Sequence, residues 1–506
     1  MTDSSRSKWW VLFALTFGLL AVGLDMTVLN VALPTLAMDM QASTSQLQWI
    51  LDSYNLVLAA MLLPAGMLGD RFGRKKLLLL ALVLFGAASA ACAYSGTPAM
   101  MIGMRSLLGL GAAFLIPLSM SVLPVMFSGE ERTKAMIIWA SANMLGIPLG
   151  PILGGWLLNH YSWGSVFLLN LPLIAIALIA VTLLMPESRS AERPRLDIPG
   201  VLASSLGLTG ITYGVIRAGE HGWGNTGTLG SLIAGTLILT AFILWQRRTK
   251  HPLIDLSLFR SSSFTWGTIL ATTVSFAMFG LLFVMPQYFQ AVNGADALGT
   301  GLRLLPMIGG LIVGAKAAQA LIPRFGAKYT AAAGFALMTA GLLVGTATGL
   351  DTSYGFAAFW ISVSGLGLGF VLPTAMDSAL GELSAERSGV GSALIMAMRQ
   401  VGGAVGVALL GAALNSTYRA NLALGGLGSQ TADTIKQSVS AGAAAARQAG
   451  SDALLAEVRS AFVQGMDTML WICGGIAAVS FLLALLFLPR KAVRKDQAVQ
   501  PPAGLA

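Results

Sequence analysis

The chain of 506 residues is 55% hydrophobic and only 10% charged, with a mean hydropathy of +0.75. Soluble domains carry about 25% charged residues, so this composition excludes a soluble globular protein. The formal charge of +9 does not imply a nucleic-acid partner, because the Lys and Arg residues sit in short loops rather than along one face.

Apolar runs of about 20 residues, long enough to cross ~30 Å of hydrocarbon, recur from end to end. About fourteen spans can be placed, over 9–33, 47–69, 77–95, 98–123, 135–159, 164–185, 199–217, 228–247, 264–290, 299–322, 329–349, 353–377, 388–413 and 465–488. They are too long for barrel strands and therefore read as helices. Arg6 and Lys8 precede the first run as in a signal peptide, but no small-x-small cleavage site follows, so the run reads as a retained helix. Near its end Leu24-Asp25-Met26-Thr27-Val28-Leu29-Asn30 sets an acid, a hydroxyl and an amide among apolar neighbours. An ionisable group inside a span marks a functional site by default. Cys92 and Cys473 fall within apolar runs and read as fillers rather than a disulfide.

The basic residues are one-sided. Arg6, Lys8, Arg71, Arg74, Lys75, Lys76, Arg132, Lys134, Arg247, Arg248, Arg260, Arg324, Lys328 and Arg490 alternate with short loops that carry no Lys or Arg. The positive-inside rule then puts both termini in the cytoplasm and the protein, many times spanning, in the cell (plasma or inner) membrane. The loop over 414–464 is longer than the others. Its Ala-rich part, with Leu454, Leu455, Val458 and Phe462, fits one or two amphipathic helices and reads as a surface hairpin.

An internal repeat links Asp70-Arg71-Phe72-Gly73-Arg74-Lys75, after the second span, to Pro323-Arg324-Phe325-Gly326-Ala327-Lys328, after the tenth. Both follow the second helix of a six-helix block if spans seven and eight are an insertion. The expected fold is an all-α integral membrane protein of two six-helix bundles with two inserted helices. Its divisions are 1–190, 191–260, 261–489 and a tail over 490–506. Two such halves place a substrate site at their interface.

Gly66-Met67-Leu68-Gly69-Asp70-Arg71-Phe72-Gly73-Arg74-Lys75-Lys76 resembles the loop signature of the major facilitator superfamily. Its glycines allow a tight turn and close approach, and its acid can cap a helix start. Arg105-Ser106-Leu107-Leu108-Gly109 resembles the family's fourth-helix motif. Gly146-Ile147-Pro148-Leu149-Gly150-Pro151-Ile152-Leu153-Gly154-Gly155 resembles the fifth-helix antiporter motif, with glycines at four-residue spacing for helix packing. The Asp25 stretch resembles the first-helix motif of the fourteen-span drug:proton antiporters, the EmrB/QacA branch, and Trp49-Ile50-Leu51-Asp52-Ser53-Tyr54 and Arg399-Gln400-Val401-Gly402-Gly403 extend the likeness. The resemblance implies a proton-coupled exporter of hydrophobic, cationic drugs, antiseptics or dyes. The alternative is a dedicated exporter of one endogenous metabolite or self-made antibiotic. It also assigns conformational gating to Gly66, Gly69, Asp70, Arg71, Gly73, Arg74, Gly146, Pro148, Gly150, Pro151, Gly154 and Gly155.

At ~1.5 Å rise per residue, Asp25 lies roughly 12 Å below the outer end of the first helix, and Asp52 and Arg105 roughly 8 Å below the ends of theirs. Proton coupling is therefore expected from Asp25, Arg105 and Asp52 as one outer-half cluster. Substrate contact is expected from Asp25, Asn30, Phe279, Phe283, Gln287 and Arg399, since aromatic and Met-rich surfaces suit bulky planar ligands. In the carboxy-terminal half the one expected span carboxylate is Asp377, at a cytoplasmic helix end, which counts against strongly dicationic cargo. The partners expected are small molecules, protons and the bilayer, with no nucleic acid and a monomeric chain. No metal cluster, nucleophile–base pair or P-loop is visible. The expectation is a non-enzyme that uses no cofactor and draws on a proton gradient rather than ATP.

Overall fold

The computed structural model describes residues 2–127, 129–189, 197–250, 252–381, 385–424 and 429–489. The described elements are helical. In order they are α1 (Thr2–Asp39), α2 (Thr44–Phe72), α3 (Arg74–Ala93), α4 (Pro98–Met126), α5 (Gly129–His160), α6 (Ser165–Leu168), α7 (Asn170–Leu184), α8 (Ile198–His221) and α9 (Thr226–Arg248). There follow α10 (Ser262–Gln287), α11 (Ala297–Gly345), α12 (Tyr354–Leu380), α13 (Ala385–Ala420), α14 (Ser429–Gln437), α15 (Val439–Gln448) and α16 (Asp452–Phe487). Twelve stretches among the described residues are long and apolar enough to cross a membrane. One of them, α11, is two helices meeting at Gly326, whose φ of 80° breaks the helical path. With the 32-residue α5, the helices account for all fourteen expected spans.

Polar residues between the runs start and stop these helices. Ser43 opens α2 with a capping box: its hydroxyl accepts from the Gln46 N–H at 3.3 Å, and its own N–H donates to Gln46 Oε1 at 2.9 Å. Thr97 with Pro98 starts α4, and Asn225 caps α9. The repeated loops share one device. Gly73 has φ 113° and Gly326 φ 80°, a region where a side chain is strained, so each halts one helix and redirects the chain into the next. The phenylalanines before them, Phe72 and Phe325, are both exposed.

Some boundaries differ from expectation. α13 runs on to Ala420 and α16 starts at Asp452, so most of 414–464 is helical, as its Ala-rich composition favours. α14 and α15 form the hairpin, and α15 is buried through Val439, Ala441, Ala443 and Ala446. Asp467, overlooked as a carboxylate of the last span, lies on α16 with a buried, unpartnered Oδ1. Asp377 is exposed at the end of α12. Both cysteines are buried and free. His251, Arg193, Arg195 and the tail over 490–506 lie outside the described residues.

α1 packs on α5 and α7, α2 on α4, and α3 on α4 and α7. In the second half α11 packs on α12, α10 on α12 and α13, and α16 on α11 and α13. The inserted helix α8 touches both halves, through α2 and α13. Its Tyr213 ring stands 6.3 Å from Trp49, Ser45 donates to Glu220 at 2.5 Å, and Arg419 donates to the Glu220 carbonyl at 3.2 Å. α9 packs on α8 and is otherwise mostly exposed, as a lipid-facing helix would be.

Candidate functional site

Close helix approach creates the site. A Cβ on Gly146 would stand 2.4 Å from the Gly23 carbonyl carbon, one on Gly150 2.0 Å from Thr27 Oγ1, and one on Gly154 2.5 Å from Val28 Cγ2. The three glycines leave α1 lying on α5 almost backbone to backbone, and Thr27 donates to the Gly146 carbonyl at 3.1 Å. That contact turns Asp25 toward α4. Across it, Gly109 lets α4 approach the Tyr54 carbonyl of α2, where a Cβ would be 2.5 Å away.

Arg105 fills the resulting space. One nitrogen donates to Asp25 Oδ2 at 2.5 Å and its Nε to the Ile50 carbonyl at 3.2 Å. The guanidinium lies 4.3 Å from the centre of the Tyr54 ring, so a cation–π contact supports it. Asp25 is 0% exposed and Arg105 2%. Neither charge is tolerable alone in such a site, and each desolvated ion supplies the other's counter-charge. Asp52 is also fully buried, but both its oxygens lack a hydrogen-bond partner. The structure thus joins Asp25 to Arg105 and leaves Asp52 apart from the pair. On the same face of α2, one turn earlier, Gln48 donates to the Val407 and Ala408 carbonyls at 2.9 and 3.0 Å.

The expected substrate residues are distributed. Asn30 donates to the Met26 and Thr27 carbonyls of its own helix at 3.1 and 3.3 Å. Phe279 packs over Gly403 and Phe283 over Gly411, and Gln287 donates to the Phe283 carbonyl at 2.9 Å. Arg399 is only partly covered. Its Nε donates to Ser275 on α10 at 3.1 Å, and it makes no ion pair among the described residues.

The gating residues divide between two ends. At the basic end a Cβ on Gly69 would overlap Leu118 at 2.0 Å, and one on Gly73 would press on the Glu187 carboxylate at 2.9 Å. Glu187 accepts from the N–H groups of Lys75 and Lys76 at 3.1 and 3.2 Å, closing the start of α3. The Arg74 N–H donates to the Ser188 carbonyl at 3.0 Å, and Arg71 stacks on Phe72. Gly66 sits in ordinary contact with Pro117. The side chains of Asp70 and Pro148 lie outside the described residues.

At the opposite end the halves interlock. A Cβ on Gly155 would be 2.6 Å from the Ala297 carbonyl oxygen, and one on Gly301 2.1 Å from the Pro151 carbonyl oxygen. Asn159 donates to Asp296 at 2.6 Å, Thr44 to the Gln437 carbonyl at 3.0 Å, and Gln290 to the Val31 carbonyl at 2.9 Å. The Asn159 amide and the Gly299 N–H hold the Asp296 carboxyl below the usual carboxylate range. A depressed carboxyl is ionised above its ordinary value and contributes stability there, losing it only as the pH falls through the lowered value. The hydrogen bonds joining the halves among the described residues all lie toward this end, with the Gln48 pair.

Gln48, Ser275, Glu187 and Asp467 were missed in the sequence. Two of these carried a signal: Gln48 is an amide one helical turn from Asp52, and Asp467 is a carboxylate inside the expected span 465–488.

A helical membrane protein with internally repeated halves, a glycine-laid α1/α5 seam and one buried ion pair is a transporter of the facilitator type. The Major Facilitator Superfamily model matches residues 15–407, and the chain belongs to that family. It is 34% identical to the tetracenomycin C resistance and export protein of Streptomyces glaucescens, over 97% of this chain and 93% of that one. It is 32% identical to the multidrug efflux pump LfrA of Mycolicibacterium smegmatis, over 97% and 96%. Among solved structures, a bacterial homologue of the human lysosomal transporter Spinster shares the fold, with a TM-score of 0.69 at 18% identity, covering 96% of this chain and 98% of that one.

Proposed function

We propose that the protein exports hydrophobic, cationic drugs, antiseptics or dyes in exchange for protons, with Asp25 taking and releasing the coupling proton. The observation that carries this reading is the buried Asp25–Arg105 pair, set in a chain whose relatives are named for multidrug efflux and antibiotic resistance. Burial raises a carboxyl's proton affinity and an adjacent cation lowers it, so a shift of Arg105 relative to Asp25 changes which form is held. The basic loops would face the cytoplasm, with both termini on that side. The interlock at the opposite end would then close the outer gate and leave this conformation open inward. The chain would act as a monomer, with a proton gradient as its energy source and no cofactor.

A second reading, export of one self-made compound, is favoured by the relative named for tetracenomycin C resistance and export. The Arg399 cation, without a carboxylate partner among the described residues, also argues against strongly dicationic cargo. Efflux measured over a panel of dyes, disinfectants and antibiotics separates the two. Broad export that collapses with a protonophore while ATP is maintained fits the first. Export confined to one compound fits the second, and export that follows ATP contradicts both.

A further inference from the structure

The last turn of α8 holds the two halves in different ways. Toward the carboxy-terminal half the grip is on the backbone. A Cβ on Gly219 would stand 2.7 Å from Ala412 Cα on α13, so the two helices touch there without an intervening side chain. The final carbonyls of a helix have no partner within it and carry partial negative charge. α13 supplies donors one turn apart: Asn415 donates to the Gly219 carbonyl at 3.3 Å and Arg419 to the Glu220 carbonyl at 3.2 Å. Toward the amino-terminal half the grip is made of side chains. Ser45, in the first turn of α2, donates to Glu220 Oε1 at 2.5 Å, and the Trp49 ring stands 6.3 Å from that of Tyr213. Trp49 also rests on the small apolar cluster that Val215 and Ile216 of α8 make with Ala408 and Ala412 of α13.

The two attachments differ in what breaking them leaves behind. Gly219 and Asn415 are buried, so pulling α8 from α13 strips a buried carbonyl of its donor, and an unsatisfied buried group costs its full desolvation. The Glu220 side chain is 23% exposed, so water can take the place of Ser45. We propose that the inserted helices travel with the carboxy-terminal half, and that Ser45 and Glu220 form a latch of the outer gate. The latch is closed while the halves meet at this end and breaks each time they part. α9 packs on α8 and follows it. The inference rests on the export reading above, since only a chain whose halves alternate needs a gate here.

Reversible cross-linking of the full chain in proteoliposomes tests this, read as accumulation of the monocationic dye ethidium under an imposed proton gradient. One pair, Ser45→Cys with Glu220→Cys, spans α2 and α8; the other, Glu220→Cys with Arg419→Cys, spans α8 and α13. Each is bridged by a bis-methanethiosulfonate, and each sample is compared with itself after reduction by dithiothreitol. Wild type, whose two cysteines are buried, controls for the reagent. Bridging 45 to 220 is expected to abolish accumulation, and reduction to restore it. Bridging 220 to 419 is expected to leave accumulation unchanged. Should cysteine at 220 abolish folding or transport by itself, Trp49→Cys with Tyr213→Cys and Val215→Cys with Ala408→Cys take the places of the two pairs. Accumulation that survives the α2–α8 bridge, or a pair there that cannot be bridged, overturns the latch. Accumulation lost to the α8–α13 bridge overturns the attachment to the carboxy-terminal half. Wild type that accumulates no dye defeats the export reading itself and the inference with it, a result distinct from either.

Discussion

At the scale of single residues, Asp25 and Arg105 are held by mutual necessity. A carboxylate at 0% exposure has no water to turn to, and removing its cation leaves a buried, unpaired charge. Such a loss costs about 3–5 kcal/mol. Arg105→Ala should therefore lower the thermal midpoint in detergent markedly at pH 8. The deficit should shrink at pH 5, because a protonated Asp25 needs no counter-ion. A deficit independent of pH would mean that Arg105 matters by packing on Tyr54 rather than by charge. Asp25 itself was legible as a carboxylate in an apolar run. Its partnership with Arg105 was reached only by depth counting and family likeness. The unpartnered Asp25 Oδ1 and Asp52 oxygens were not legible, since nothing in a sequence shows which buried polar atoms are left without a partner.

Glycine does the corresponding work among the helices. The run Gly146, Gly150, Gly154 brings α1 onto α5, while Gly155 meets Ala297 and Pro151 meets Gly301 of the other half. One motif thus serves two faces of α5, one building the ion-pair site and the other closing the gate between the halves. Gly150→Val would drive a branched side chain into Thr27 and push α1 from α5, the overpacking that costs typically 1–3 kcal/mol. The expected result is a lowered thermal midpoint together with lost export. Full export by a stable Gly150→Val chain would show that the seam is slack. The four-residue spacing was visible in the sequence. Which helices it joined was not, because packing partners are set by topology rather than by the motif. The two spans expected over 299–322 and 329–349 are the two arms of α11, helical on either side of Gly326.

The whole molecule is organised about two ends. At the basic end Glu187 and the glycine loop secure the amino-terminal half to itself. At the other, Gln48, Asn159, Gln290 and the α5–α11 contact fasten one half to the other. Helix count, the repeat and the family were legible because membrane-spanning runs and charge asymmetry are written along the chain. The position of α8 across both halves and the burial of α15 were not, since both depend on surfaces that only the folded bundle presents. With the halves fastened at one end, transport requires that this interlock release, and the account makes the charge state of Asp25 the trigger. The direct test is dye uptake into proteoliposomes under an imposed proton gradient, comparing wild type with Asp25→Asn. The account predicts that wild type concentrates the dye only while the gradient lasts, and that Asp25→Asn merely equilibrates it. Concentration by Asp25→Asn to the wild-type level would contradict the central role given to this carboxyl.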